Sequence, residues 1–200
     1  MARRHLVLFV RAPERGRGKR RLARDISGGA ALRFERVMLA LLLRRLGRDR
    51  RWRLRLAVTP DRARRRARLW PAHLPVTGQG KGDLGVRMRR ALMRCPPGPA
   101  LLVGSDIPVL SAAHIAAAFR LLGSHDLVFG PAADGGFWLY GARRSPRLPP
   151  PFGRVRWSGP HTLADALANV PLSMSVGFAA RLEDVDDGAA WRRLYPRRGF

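Results

Sequence analysis

ALLVGSDIP, residues 100–108, is an uncharged apolar run that ends in an acid and a proline. With no charge at either alternating set of positions, Ala100 to Val103 predicts a strand covered on both faces, as in the middle of a parallel sheet. Helices must then lie above and below it, and ligands belong in the crevice outside the strands' carboxyl ends. Asp106 follows such an end, and Pro108 fixes the turn beyond it. Hard divalent cations take oxygen ligands and commonly keep phosphate oxygens in their shell, so a carboxylate here suits Mg2+ or Mn2+ held against a diphosphate. The other use of an Asp at this place is to cap the next helix, and Ser111 competes for that role.

On either side of this run, short apolar stretches alternate with helical ones, the pattern of an α/β layered fold. His5 to Val10 predicts the first strand, followed by a basic loop from Arg11 to Gly18 and a helix over about 30–46. A strand follows at Arg53 to Val58, then a helix that Asp61 caps and that ends before Pro71, then a short strand near 74–77. Past the Gly-rich segment 78–85, helices are expected to about Arg94 and over 111–122, with strands at 126–129 and 136–141. Prolines exclude regular structure from Ser145 to Gly153, which reads as a flap over the site. A helix at 162–168, a strand near 174–176 and a closing helix finish the chain. No repeat or boundary divides its 200 residues, so residues 1–200 are expected to form one domain.

Composition narrows the partners. The 39 Lys and Arg against 14 Asp and Glu leave a net charge of +25, which favours anions, but Lys19 and Lys81 are the only lysines. The arginines scatter over amphipathic helices without interleaved aromatics, which argues for solvated faces and against nucleic acid. A single cysteine, Cys95, excludes an internal disulfide and a thiolate zinc site, and a reducing cytoplasm is the expected location. The opening MARRHLVLFVRAP looks like a secretory start until Arg11 and Pro13 interrupt it. Its apolar run is far short of the roughly twenty residues a membrane span needs. The oligomeric state is left open.

Three further segments carry chemistry. In RAPERGRGKRRLA, residues 11–23, Gly16 and Gly18 let backbone approach a ligand while Lys19, Arg20 and Arg21 supply cationic donors, a phosphate cradle or else a flexible basic loop. Asp134-Gly135-Gly136 is either a tight turn or bare backbone for a substrate, with Asp134 accepting a hydroxyl or metal contact. Asp184 and Asp186 flank Val185, and alternate positions in an extended chain point the same way, so both can face one cation. An acidic helix start, capped by Asp186 or Asp187, is the other reading.

Taken together, in this order, the segments resemble the bacterial DUF2064 proteins, a glycosyltransferase-A-like (GT-A-like) family also described as radical-SAM/selenodomain-associated transferase 1. The opening matches at Phe9, Pro13, Gly16, Lys19, Arg21 and Leu22, with Arg11 where lysine is usual and Arg20 where threonine is usual. The likeness continues through Gln79, Gly80, Gly82, Asp83, Leu84, Gly85, Arg87 and Met88, then 104–108, 130–136, Trp157-Ser158 and 184–186. More distantly the chain is similar to phospholactate and molybdopterin cofactor guanylyltransferases. The resemblance implies a single-domain nucleotide-diphospho-sugar transferase fold, a mostly parallel mixed sheet flanked by helices. It implies that Arg11, Pro13, Gly16, Lys19 and Arg21 hold the nucleotide phosphates and that Gln79, Gly80, Gly82 and Asp83 lie near the base. By the same likeness Asp106 and Asp134 are catalytic, Gly135, Gly136, Trp157 and Ser158 touch substrate, and Asp106, Asp184 and Asp186 hold Mg2+ or Mn2+. The expected reaction is glycosyl transfer from a nucleotide-linked small-molecule donor to an acceptor that the sequence does not identify. Nucleotidyl transfer with release of pyrophosphate is the second reading, and a non-catalytic basic nucleic-acid-binding protein is the third.

Overall fold

The computed structural model describes residues 3–144 and 152–194. Its strands are β1 (His5–Arg11), β2 (Arg53–Thr59), β3 (Val76–Gly78), β4 (Ala100–Gly104), β5 (Leu127–Pro131), β6 (Phe137–Ala142) and β7 (Val176–Phe178). Its helices are α1 (Arg20–Ile26), α2 (Gly28–Gly47), α3 (Leu84–Met93), α4 (Ala112–Ser124), α5 (Thr162–Ala168) and α6 (Gly188–Leu194). One seven-stranded sheet runs in the order β3-β2-β1-β4-β6-β5-β7. Only β6 opposes its neighbours; every other pairing is parallel. The expected mostly parallel mixed sheet is therefore present, with β4 between β1 and β6.

The apolar run of β4 serves both faces. Leu101 and Val103 pack with Leu6, Leu8, Leu54 and Leu56 under α2 and α4. Ala100 and Leu102 pack with Val7 and Ala57 under α3 and α5. Alternation of side chains along a strand produces this division, and register lines it up, with Leu6 beside both Leu54 and Leu101.

Three local differences from the sequence reading have physical causes. The segment after β2 forms two 3₁₀ turns, Asp61–Arg65 and Ala67–Leu69, where a helix was expected. Only Ala63 of these is buried, so the arginine run offers no apolar stripe to press against the sheet. Asp61 does not cap it; its Oδ1 accepts from Gly80 N at 2.9 Å and tethers the Gly-rich segment. Short α1, unforeseen, is anchored by Leu22, which is fully buried. Ser111 does cap α4, where His114 Nδ1 accepts from its backbone N–H at 3.2 Å. Of the expected flap, residues 145–151 lie outside the described residues.

Part of the arginine excess is structural. Arg143 donates to the carbonyls of Leu122 (3.2 Å) and Gly123 (3.0 Å) at the end of α4. Arg45 reaches Pro108 O (2.8 Å) and Leu110 O (3.2 Å), Arg94 reaches Gly78 O (2.6 Å), and Arg144 reaches Pro96 O (2.7 Å). Among the described residues no helix is long and apolar enough to cross a membrane.

Because Leu101 is fully buried at the centre of the sheet, Leu101→Ala should destabilise the protein by about 2–5 kcal/mol in urea unfolding. A loss below about 1 kcal/mol would mean that the site collapses around the smaller side chain.

Candidate active site

Parallel pairing brings the carboxyl ends of β1, β4, β5 and β7 to one side of the sheet, and the motif loops follow those ends. The chain after β7 returns across them. Leu182 N donates to Pro131 O at 3.1 Å, and Val185 N donates to Asp106 O at 3.0 Å. Val185 is fully buried between Asp184 and Asp186, and both acids line the same cavity as Asp106. Asp187 Oδ1 accepts from Ala190 N at 2.8 Å and caps α6, so one acidic cluster serves both the cavity and a helix start.

At the centre stands Lys19. Its Nζ lies 2.6 Å from Asp186 Oδ1 and 3.1 Å from Asp106 Oδ2. The lysine side chain is 7 % exposed, whereas those of Asp106 and Asp186 are 45 % and 54 % exposed towards the cavity. Burial works against the lysine's charge, but attraction to Asp106 and then to Asp186 outweighs it and raises its pKa. Lys19 N donates to Glu35 Oε1 at 3.0 Å. Gly18 lets that carboxylate lie against the backbone, because a Cβ there would displace the end of the Glu35 side chain. Burial, with the Asp106 charge adding to it, raises the pKa of Glu35.

Asp184 is the strained acid of the group. Burial first, then repulsion from Asp186 and Asp134, pushes its pKa up to about 6. Asp134 Oδ1 accepts from Gly136 N at 2.9 Å, and Gly135 takes φ +86°, so the tight turn forms and still presents Asp134 to the cavity. The cavity encloses about 780 Å3. Arg11, Arg17, Lys19, Arg20 and Arg21 line one part, Asp106, Asp134, Asp184 and Asp186 another, and Leu84, Met88, Phe137, Tyr140 and Trp157 an apolar wall. Phe152 packs edge-on to Trp157 and Tyr140 and backs that wall. The turn carrying Trp157 and Ser158 is clamped: Arg156 pairs with Asp165 at 2.8 Å, and Thr162 Oγ1 donates to Arg156 O at 2.8 Å. These bonds hold Ser158 at φ +63°, a conformation an L residue adopts rarely.

Other expected site residues lie elsewhere. Gln79 is 1 % exposed; its Nε2 donates to Ala57 O (2.9 Å) and Val10 O (3.2 Å), and its Oε1 accepts from Arg87. Asp83 Oδ1 accepts from Val86 N at 2.8 Å and caps α3. Gly80 and Gly82 provide the positive-φ turns between β3 and that cap. Pro13 is buried in the first loop, and Gly16 forms its bend at φ +74°. None of these six lines the cavity. Two residues that the sequence reading passed over support it. Glu35 fixes Lys19, and Glu14 ties the basic loop to Arg62 and Arg66, each at 3.1 Å. The available signal was an acid standing alone among arginines, in the loop and on α2.

The metal expectation meets a specific arrangement. The cation that the chain itself places between Asp106 and Asp186 is Lys19 and not an arginine, because the end of the basic loop lies directly beside both acids. Among the described residues no three His, Cys, Asp or Glu side chains form a ready-made metal cluster. The donors are nevertheless of the fitting kind: hard carboxylate oxygens, with Asp184 raised in pKa first by burial and then by repulsion from Asp186 and Asp134, a repulsion that a divalent cation relieves. Asp106, Asp184 and Asp186 fit Mg2+ or Mn2+ in chemistry, with Lys19 standing between two of them.

A family model described as an uncharacterized protein conserved in bacteria, DUF2064, matches residues 42–159. No curated protein matches the chain. Among solved structures, a candidate nucleotide-diphospho-sugar transferase from Desulfovibrio desulfuricans G20 is similar at 27 % identity and a TM-score of 0.85, covering 98 % of this chain and 87 % of that one. Rv0371c from Mycobacterium tuberculosis H37Rv, in complex with manganese, aligns at 19 % identity and a TM-score of 0.55 over 98 % of this chain and all of its own. A 4-diphosphocytidyl-2C-methyl-D-erythritol synthase from Anaerococcus prevotii DSM 20548 aligns at 9 % identity and a TM-score of 0.60, over 98 % of this chain and 99 % of that one. The two lower identities establish a shared fold.

Two outcomes are expected of the site. Gln79→Ala should cost about 1–3 kcal/mol in urea unfolding by leaving buried polar partners unpaired. An unchanged midpoint accompanied by weaker nucleotide binding would return Gln79 to the ligand. For Asp184 the folded state holds its proton more tightly than the unfolded state, so between about pH 4 and about 6 rising pH lowers stability. In EDTA, the stability of the unmodified protein relative to Asp184→Asn should fall across that window and level off above it. Parallel profiles would show that Asp184 carries no such strain.

Proposed function

The chain belongs to the DUF2064 family, and from that premise we propose that it is a metal-dependent glycosyltransferase that uses a nucleotide sugar. One observation carries the reading: a single cavity sets the cations of the β1 loop against four carboxylates at the carboxyl ends of parallel strands. Such a site takes an anionic, phosphate-bearing ligand and a divalent cation together. Likeness to the Desulfovibrio protein supports the same donor class.

In this reading Arg11, Arg21 and Lys19 bind the donor's diphosphate, and Asp106, Asp184 and Asp186 hold Mg2+ or Mn2+. The metal, when bound, neutralises charge on the departing diphosphate. The acceptor oxygen bonds to the sugar's anomeric carbon as the bond from that carbon to the diphosphate oxygen breaks, and the diphosphate keeps the electron pair. Asp134, at the mouth of its turn, receives the acceptor hydroxyl and takes its proton. Trp157, Phe137 and Tyr140 give the sugar or acceptor an apolar face to lie against, with Ser158 and Gly136 beside it; Gly135 does not line the cavity and shapes the turn that presents them.

A second reading, nucleotidyl transfer, draws on the five basic residues between Arg11 and Arg21 that line the cavity, enough for a triphosphate. The products distinguish the two: a nucleoside diphosphate from glycosyl transfer, pyrophosphate from nucleotidyl transfer. A panel of nucleotide sugars and nucleoside triphosphates, screened by thermal shift with and without Mn2+, should find a donor whose stabilisation requires the ion. Asp106→Asn should abolish that requirement, and Arg21→Ala should weaken binding by about 1.5–3 kcal/mol if its contact is direct. Stabilisation by nucleotide that ignores both Mn2+ and Asp106→Asn would overturn the metal-dependent reading.

A further inference from the structure

The ammonium of Lys19 occupies the gap between Asp106 and Asp186, at 3.1 Å from one carboxylate and 2.6 Å from the other. A divalent cation bonded to the same oxygens needs distances of about 2.0–2.6 Å. It would stand in that gap and repel the ammonium, so the two positive charges compete for one place. The lysine backbone cannot retreat easily, because Glu35 accepts from Lys19 N at 3.0 Å and Gly18 is pressed against the same carboxylate. Its side chain can: a lysine stem is flexible, and the cavity opens beside it, lined by Arg11, Arg20 and Arg21 of the same loop. Those arginines are where a phosphate group would be drawn, within the reach of a swinging ammonium.

We propose that Lys19 is a displaceable internal counter-ion: its ammonium competes with a divalent cation for the Asp106–Asp186 pair, and the phosphates of the donor tip that competition towards the cation by drawing the ammonium away. This rests on the metal and nucleotide roles proposed above. Donor and metal then bind cooperatively, and by linkage each strengthens the other by the same factor. The exposed oxygens of Asp106 and Asp186 remain accessible from the cavity, so the exchange needs a side-chain movement and no change in the sheet.

Binding of Mn2+ alone, followed by the paramagnetic resonance signal of the free ion, tests the proposal without any nucleotide or activity. Lys19→Met should bind Mn2+ about tenfold or more tightly than the unmodified protein, whereas Lys19→Arg, which keeps the charge, should not gain. Equal or weaker binding by a folded Lys19→Met, with Mn2+ still bound by the unmodified protein, overturns the counter-ion and leaves the metal reading standing. Absence of Mn2+ binding in both overturns the two together.

The unmodified protein provides a second measurement should Lys19→Met fail to fold. Lys19 and Lys81 are its only lysines, so 15N labelling of lysine gives two ammonium signals, and the buried, ion-paired one belongs to Lys19. Saturating Mg2+ should shift that signal and speed its exchange with water. A Lys19 signal unchanged at Mg2+ saturation would overturn the proposal.

Discussion

Two carboxylates far apart in sequence share one buried ammonium, and the geometry of the cavity depends on that contact. Lys19 ends the loop after β1, Asp106 follows β4, and Asp186 lies on the segment that returns after β7. Adjacent pairing of β1 and β4 brings the first two together, and the Val185 to Asp106 backbone bond brings the third. An unpaired charge in so covered a place would be costly, so the ion pairs and the strand order support each other. Asp25 extends the lock from α1, accepting from Gly188 N at 2.7 Å where α6 begins.

The positive charge of the chain has a less dramatic use than its size suggests. Arginines 45, 94, 143 and 144 donate to carbonyls at helix ends and loops, and others pair with Glu14, Asp49, Asp165 and Glu183. A guanidinium suits this work because its planar fork presents several donors at once. The lysines are the exception by number, and Lys19 differs by position as well. Between Asp106 and Asp186, where a compact ammonium fits, the chain does not use arginine.

Opposite this charged corner, the cavity wall is apolar and closely packed. Edge-on and tilted contacts link Phe129, Phe137, Tyr140, Phe152 and Trp157, and the Arg156 to Asp165 pair with Thr162 fixes the turn that presents Trp157. A site held in shape on one wall and governed by a single ion pair on the other divides two tasks. The wall fixes what lies against it, and the ion pair sets the charge that the cavity presents.

The sequence alone determined the layered fold and pointed to the crevice that holds the candidate site, because those depend on local pattern. Uncharged Ala100 to Val103 pointed to a covered strand, and alternating or helical periodicity marked most of the other elements. Acids after strand ends pointed to the crevice. The arginine-rich segment after β2 misled, since only the packed sheet reveals that Ala63 alone of its two turns is buried. Gln79 also looked like part of a ligand loop, yet its buried amide joins β1 to β2 through two carbonyls, a contact that no spacing in the sequence encodes. Tertiary structure alone decided which cation stands between Asp106 and Asp186. The choice of Lys19 over a neighbouring arginine turns on distances between residues as far apart as 167 positions, and such distances are set by strand order and by the backbone bonds that carry the last segment across the sheet.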